Sequence, residues 1–136
     1  MLVYTSKSKV PVDKTLLDDI LKVARELNSR DQLTGFLVVR DGYFLQLLEG
    51  NEEMVRKCYA RIQKDKRHKE FVVHGEAFTD SRIMPSWNMA LVENNIQGAS
   101  SELIELFKLG HQGMQYHDPT SLEAITRIFA REAKVL

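Results

Sequence analysis

The spacing of apolar and polar positions changes along the chain, and each change marks an element. Residues 1–6 (Met-Leu-Val-Tyr-Thr-Ser) read as a strand. Pro11 and Asp13 interrupt it, and Asp13 suits a helix N-cap because its carboxylate accepts a free amide N–H of the first turn. Leu16, Leu17, Ile20, Leu21, Ala24 and Leu27 recur at helical spacing, which predicts an amphipathic helix over 14–28. Residues 33–40 return to a strand pattern. Asp41-Gly42 is the preferred pair for a two-residue type I′ turn, so 43–49 is expected to fold back as the hairpin partner. Gly50 breaks that strand. Asn51 caps a second helix that buries Met54, Val55, Cys58, Tyr59 and Ile62. Residues 71–78 and 87–92 read as a fourth and a fifth strand.

The order β-α-β-β-α-β-β predicts an α+β fold. Right-handed crossovers make it a ferredoxin-like sheet with both helices on one face and the first and third strands side by side in the centre. Tyr43, Leu45 and Leu47 then point to the other face and need cover. Two later stripes are suited to supply it. Leu103, Ile104, Leu106 and Phe107 form one, ended near Gly110. Leu122, Ile125, Ile128 and Phe129 form the other, opened by Asp118-Pro119 and the capping-box pattern Thr120-x-x-Glu123. The expected organisation is one structural domain: 1–95 as the sheet-and-helix body and 96–136 as a helical cap on its far face. No repeat or low-complexity tract interrupts it.

Gln46 stands out within this pattern. It lies inside Phe44-Leu45-Gln46-Leu47-Leu48, a run that reads as a strand buried on both faces. A primary amide there gives up water and needs partners. Neighbouring backbone is one source, and a polar group lying against the layer is the other. The predicted topology puts Tyr4 on the adjacent central strand, where its phenol can stand beside Gln46. Asn28 ends the first helix next to the same layer, either as a helix C-cap or as a polar wall of a site. Trp87 and Met89 alternate onto one face of the fifth strand, as core or as part of that site.

Composition narrows the classes. Lys and Arg total 19, as do Asp and Glu. The formal charge of zero disfavours a general nucleic-acid or membrane-surface binder, which needs a basic excess. The single cysteine, Cys58, permits no internal disulfide and fits a reducing cytoplasm. Cys58 itself reads as a small core residue. No apolar segment approaches the ~20 residues of a membrane span, and the N-terminus has no signal-peptide pattern. The four histidines lack paired metal-ligand spacing. No Walker loop or G-x-G-x-x-G is present.

Several short motifs follow one another in a fixed order. They are Tyr4-x-Ser6, Ala24-Arg25-x-x-Asn28, Thr34-Gly35, Gly42-x-Phe44-x-Gln46-x-Leu48-Glu49-Gly50, Arg61-Ile62-x-x-Asp65, Arg67-His68 and Trp87-x-Met89. Over about residues 1–92 this series closely resembles the BLUF domain, a blue-light sensor that uses FAD. The resemblance implies that the flavin ring lies between the two helices, with FMN or riboflavin as substitutes for FAD. It gives Tyr4 the redox-active tyrosine, and Gln46 the glutamine bonded to both tyrosine and flavin. Asn28 becomes the residue on the flavin's pyrimidine edge, and Trp87 with Met89 the mobile pair. Arg61, Arg67 and His68 fall near the ribityl and phosphate end. Leu27 departs from the pattern, since many relatives carry a polar residue there.

The resemblance also implies a mechanism. Light drives an electron and then a proton from Tyr4. Gln46 settles in a changed orientation or tautomer, bonds the flavin carbonyl more strongly and reddens its absorption. The change spreads to Trp87, Met89 and the C-terminal helices. The expected protein is a cytoplasmic photoreceptor and not an enzyme. It signals to a separate effector protein, with homo-oligomerisation open and no direct nucleic-acid or membrane contact. One rival is a ferredoxin-like ligand- or RNA-binding module without photochemistry, which calls for exposed aromatic and basic residues on the sheet. The other is a small enzyme on the same fold, for which no convergent nucleophile, acid or base is visible.

Overall fold

A computed structural model describes residues 1–40, 42–78, 81–86 and 88–92. Its elements are β1 (Leu2–Ser8), α1 (Lys14–Arg30), β2 (Thr34–Arg40), β3 (Tyr43–Glu49), α2 (Glu52–Gln63), β4 (His68–Glu76) and β5 (Ala90–Val92). Both predicted caps form. The Asp13 carboxylate accepts from the Leu16 amide at 2.8 Å. The Asn51 side chain accepts from Glu53 and Met54 at 3.0 and 3.4 Å. The β2–β3 hairpin runs in unbroken register from Thr34 opposite Glu49 to Arg40 opposite Tyr43. Gly42, at φ +80, supplies the left-handed residue that its turn requires.

The sheet order is β4-β1-β3-β2-β5. β1 and β3 are antiparallel neighbours at the centre, as expected, and their register sets Tyr4 directly across from Gln46. β5 joins β2 in parallel. Leu2, Tyr4, Leu37, Phe44 and Leu48 pack with Leu21 of α1 and with Val55 and Cys58 of α2, so both helices cover this face. Val3, Phe36, Leu45 and Leu47 point the other way and are also buried. Each such side chain removed from water contributes about 1.5–3 kcal/mol, which fixes the register. The two C-terminal stripes predicted to cover this second face lie outside the described residues.

Two strands differ from expectation. β4 begins at His68 and ends at Glu76, where 71–78 was predicted. The ladder explains the shift: β1 continues to Ser8, so His68 and Lys69 have Ser8 and Lys7 to pair with. β5 is only three residues long, where 87–92 was predicted. Met89 therefore sits on the segment entering β5 and not within it, and Trp87 lies outside the described residues. The carbonyls of Asn88 and Met89 are taken by side chains of α1, at 2.9 Å from Asn28 Nδ2 and 3.1 Å from Arg25 Nε. Acceptors bound to a helix are not available to a strand ladder. Among the described residues, no helix is long and apolar enough to cross a membrane.

Candidate functional site

The sheet face under the helices carries a line of polar groups. Tyr4 and Gln46 are both buried. The Tyr4 hydroxyl donates to Gln46 Oε1 in a short hydrogen bond. Gln46 Nε2 points the other way and donates to Met89 Sδ at 3.5 Å. A thioether is a weak acceptor, so this end of the amide is only lightly held. The two amide orientations are unequal. In the one seen, Tyr4 has a true acceptor. Turned over, the Gln46 amide becomes a donor toward Tyr4 and frees its oxygen for another partner.

Asn28 lies within α1, two residues before its end, and is buried. Asp31 occupies the C-cap position, so the capping alternative for Asn28 is not what forms. Its Nδ2 holds the Asn88 carbonyl, and its Oδ1 faces Cys58 Sγ at 3.7 Å. Asn88 in turn donates to the Leu33 carbonyl at 3.2 Å. α1, α2 and the approach to β5 are thus joined through one amide. Burial pushes the Tyr4 phenol well above its ordinary value and raises the Cys58 thiol as well, so both stay protonated.

α1 and α2 are linked by the Cys58 thiol, which faces Asn28 Oδ1 at 3.7 Å. Between them is a cavity of about 110 Å³, floored by Tyr4, Gln46 and Met89 and walled by apolar side chains such as Ile20, Leu27 and Ile62. Leu27 is therefore an apolar wall and supplies no polar contact. Asn28, Arg61, Arg67 and His68 also line the cavity, so every sequence-predicted site residue within the described set meets at one place. A larger depression, about 440 Å³, lies around Glu49, Arg56 and Glu76. Its Arg56 is already paired with Glu52 at 3.0 Å and Glu76 at 3.6 Å.

The mouth differs from a simple cationic landing. Arg67 is clamped to Asp65, with Nη2 to Oδ2 at 2.6 Å and Nε to Oδ1 at 3.0 Å. That bond holds the Asp65 carboxyl below its usual range. Arg61 is freer, with Asp31 at 3.9 Å and the Cys58 thiol beside it. His68 shares a 2.9 Å hydrogen bond with Ser6 Oγ, and its ring lies 4.9 Å from that of Phe71. Burial lowers its proton affinity, which favours the neutral imidazole. Sequence reading assigned no role to Asp65, Ser6 or Arg25, although all three stand within the quoted motifs. It treated Cys58 as core, which it is, and the same residue also lines the cavity.

A slot between two helices, with amides at its floor and cations at its mouth, suits a planar aromatic ligand with a polar edge and an anionic tail. That is the class of protein the fold and site define. The chain belongs to the BLUF family, "Sensors of blue-light using FAD", whose model matches residues 1–90. It is 30% identical over 106 residues to the photoactivated adenylate cyclase subunit beta of Euglena gracilis, covering 78% of this chain and 12% of that one. It is 36% identical over 73 residues to the blue light- and temperature-regulated antirepressor BluF of Escherichia coli (strain K12), covering 52% of this chain and 18% of BluF. Among solved structures, the BlsA photo-activated state superposes with a TM-score of 0.76 at 26% identity, over 99% of this chain and 96% of BlsA. The chain spans about an eighth of the cyclase subunit's length.

Proposed function

We propose that this chain senses blue light through FAD held between α1 and α2, with FMN or riboflavin as substitutes, and passes the signal to a separate effector protein without catalysing a reaction itself. The observation that carries the reading is the buried line from Tyr4 through Gln46 to Met89 along the cavity floor. Asn28 and Gln46 suit the polar edge of the ring. Arg61, Arg67 and His68 suit the ribityl and phosphate end, Arg61 foremost because Asp65 already occupies Arg67. Bound there, the flavin supplies blue-light absorption and, once excited, a one-electron oxidant.

The chain's own residues do the rest. The Tyr4 phenol, kept protonated by burial, gives up an electron and becomes strongly acidic. Its proton leaves Oη along the bond it already makes, toward Gln46 Oε1. When the electron returns to Tyr4, the phenol takes a proton back from Gln46, which is left neutral but turned or tautomerised, and Nε2 lets go of Met89 Sδ. One hydrogen bond is worth about 1 kcal/mol net, a shift of about fivefold in an equilibrium. The output therefore needs an element with two states of nearly equal energy. The approach to β5 is suited to that, being hydrogen-bonded to α1 through the Asn88 and Met89 carbonyls and followed by a three-residue strand. The exposed basic and aromatic surface that an RNA-binding sheet requires is not what the described residues offer, because both sheet faces are buried.

Two measurements test this. Purified protein offered FAD should take it up and show a structured visible band that blue light red-shifts reversibly; a folded sample that takes up no flavin overturns the reading. Met89→Ala should leave most of the red shift, because Tyr4 and Gln46 remain. It should shrink the difference in hydrogen exchange between dark and lit protein across residues 86–133. An exchange difference equal to wild type would remove Met89 from the relay.

A further inference from the structure

Tyr59 has no part in the scheme above, yet it is the ring packed most tightly on Tyr4. Their centroids are 5.0 Å apart and tilted by 38°. Phe71 completes the cluster at 5.8 Å from Tyr4 and 6.1 Å from Tyr59. Of these three rings only the two tyrosines are oxidised at phenolic potentials. They differ in surroundings: Tyr4 is fully buried, whereas Tyr59 on α2 is only partly buried at the edge of the same core.

We propose that Tyr59 is a second redox site, to which the oxidising equivalent formed on Tyr4 escapes toward solvent. This rests on the photoreceptor reading above, in which excited flavin is the one-electron oxidant. The step balances. Tyr4, having lost an electron and its phenolic proton, regains one electron from Tyr59 and takes its proton back from Gln46. Tyr59 loses that electron and releases its own phenolic proton to water, and the electron taken from Tyr4 stays with the flavin.

Geometry and solvation set the direction. Ring contact makes electron exchange between the phenols fast relative to any path through the backbone. The proton lost by Tyr4 is held within one hydrogen bond, so it returns readily and favours recombination. The proton lost by Tyr59 enters bulk water and is diluted. Partial burial, and after it the Glu76 carboxylate, hold the Tyr59 phenol protonated before oxidation, and Glu76 favours the positive charge that oxidation creates there. Tyr59 is thus a slow side exit that competes with productive recombination between Tyr4 and Gln46. Under prolonged light it removes protein from the photocycle.

The test uses the full chain loaded with FAD, kept free of oxygen and illuminated with 2-methyl-2-nitrosopropane, which traps phenoxyl radicals by adding to the ring carbons that share their spin. Digestion and mass spectrometry locate the adduct, and the visible flavin band is followed in the same sample. Wild type should accumulate a light-dependent adduct on Tyr59, matched by bleaching of the visible band. Tyr4→Phe should lose the Tyr59 adduct, because Tyr59 is oxidised only through Tyr4. Tyr59→Phe keeps the ring and its packing, and should slow the bleaching severalfold. An adduct on Tyr59 as strong in Tyr4→Phe as in wild type overturns the relay. So does a wild type that red-shifts normally and is never labelled on Tyr59. A wild type that fails to red-shift at all overturns the sensor reading itself, which separates the two failures.

Discussion

Gly35→Ala is expected to cost a large share of the fold's stability. Gly35 pairs with Leu48 across the β2–β3 ladder. A Cβ at this position would fall inside the contact radius of the Leu47 carbonyl oxygen and 2.9 Å from its carbon. Both atoms are backbone, so no rotamer change relieves the overlap and the strands themselves must separate. Overpacking a core commonly costs about 1–3 kcal/mol even where side chains can move. Here the loss should exceed about 3 kcal/mol, out of a total of about 5–15 for a domain. For a chain of this size that is a fall of about 10 °C in Tm. The damage also reaches function, because Leu47 is the neighbour of Gln46 and its displacement tilts the cavity floor. Thermal unfolding and flavin content should fall together. Wild-type Tm and full flavin uptake in Gly35→Ala would mean that β2 and β3 lie farther apart than described.

What the sequence made legible follows from how local each cause is. The hairpin was readable to within one residue, β2 starting at Thr34 and not at 33, because the turn pair, the alternation and Gly50 all lie within the segment. The meeting of Tyr4 and Gln46 needed one non-local step, the ferredoxin-like strand order, and the register sets them opposite each other. β4 and β5 were less legible because their ends depend on partners: one gained length from the tail of β1, and the other lost it to Asn28 and Arg25. Asn28 looked like a cap because asparagine is common at helix ends. The helix runs two residues further, and its buried amide bridges three elements instead. The Arg67–Asp65 clamp was written plainly in sequence two residues apart. Charge counting does not show that a turn closes the pair, and so leaves Arg61 the more available cation.

Removing either member of the buried pair is expected to abolish the long-lived red-shifted state while the protein still folds and binds flavin. Tyr4→Phe keeps the ring, and with it the packing on Tyr59 and Phe71. It deletes the donor that Gln46 Oε1 uses, at a cost of about 1–3 kcal/mol for the acceptor left without it. It also deletes both the proton and the oxidisable group, so light finds no donor at this position. Gln46→Ala leaves the Tyr4 hydroxyl in the core without its acceptor and removes the amide beside it on the cavity floor. Tyr4 is still oxidised, but its proton has no acceptor that can turn, and the state decays without a lasting change. Apolar walls and the cations at the mouth remain in both variants, so flavin content should stay near that of wild type. The deciding measurement is the light-minus-dark difference spectrum with its recovery in darkness. A wild-type difference spectrum from Gln46→Ala would show that the amide is not the switch. One from Tyr4→Phe would move the electron donor elsewhere, to a site whose oxidation does not pass through the bond between Tyr4 and Gln46.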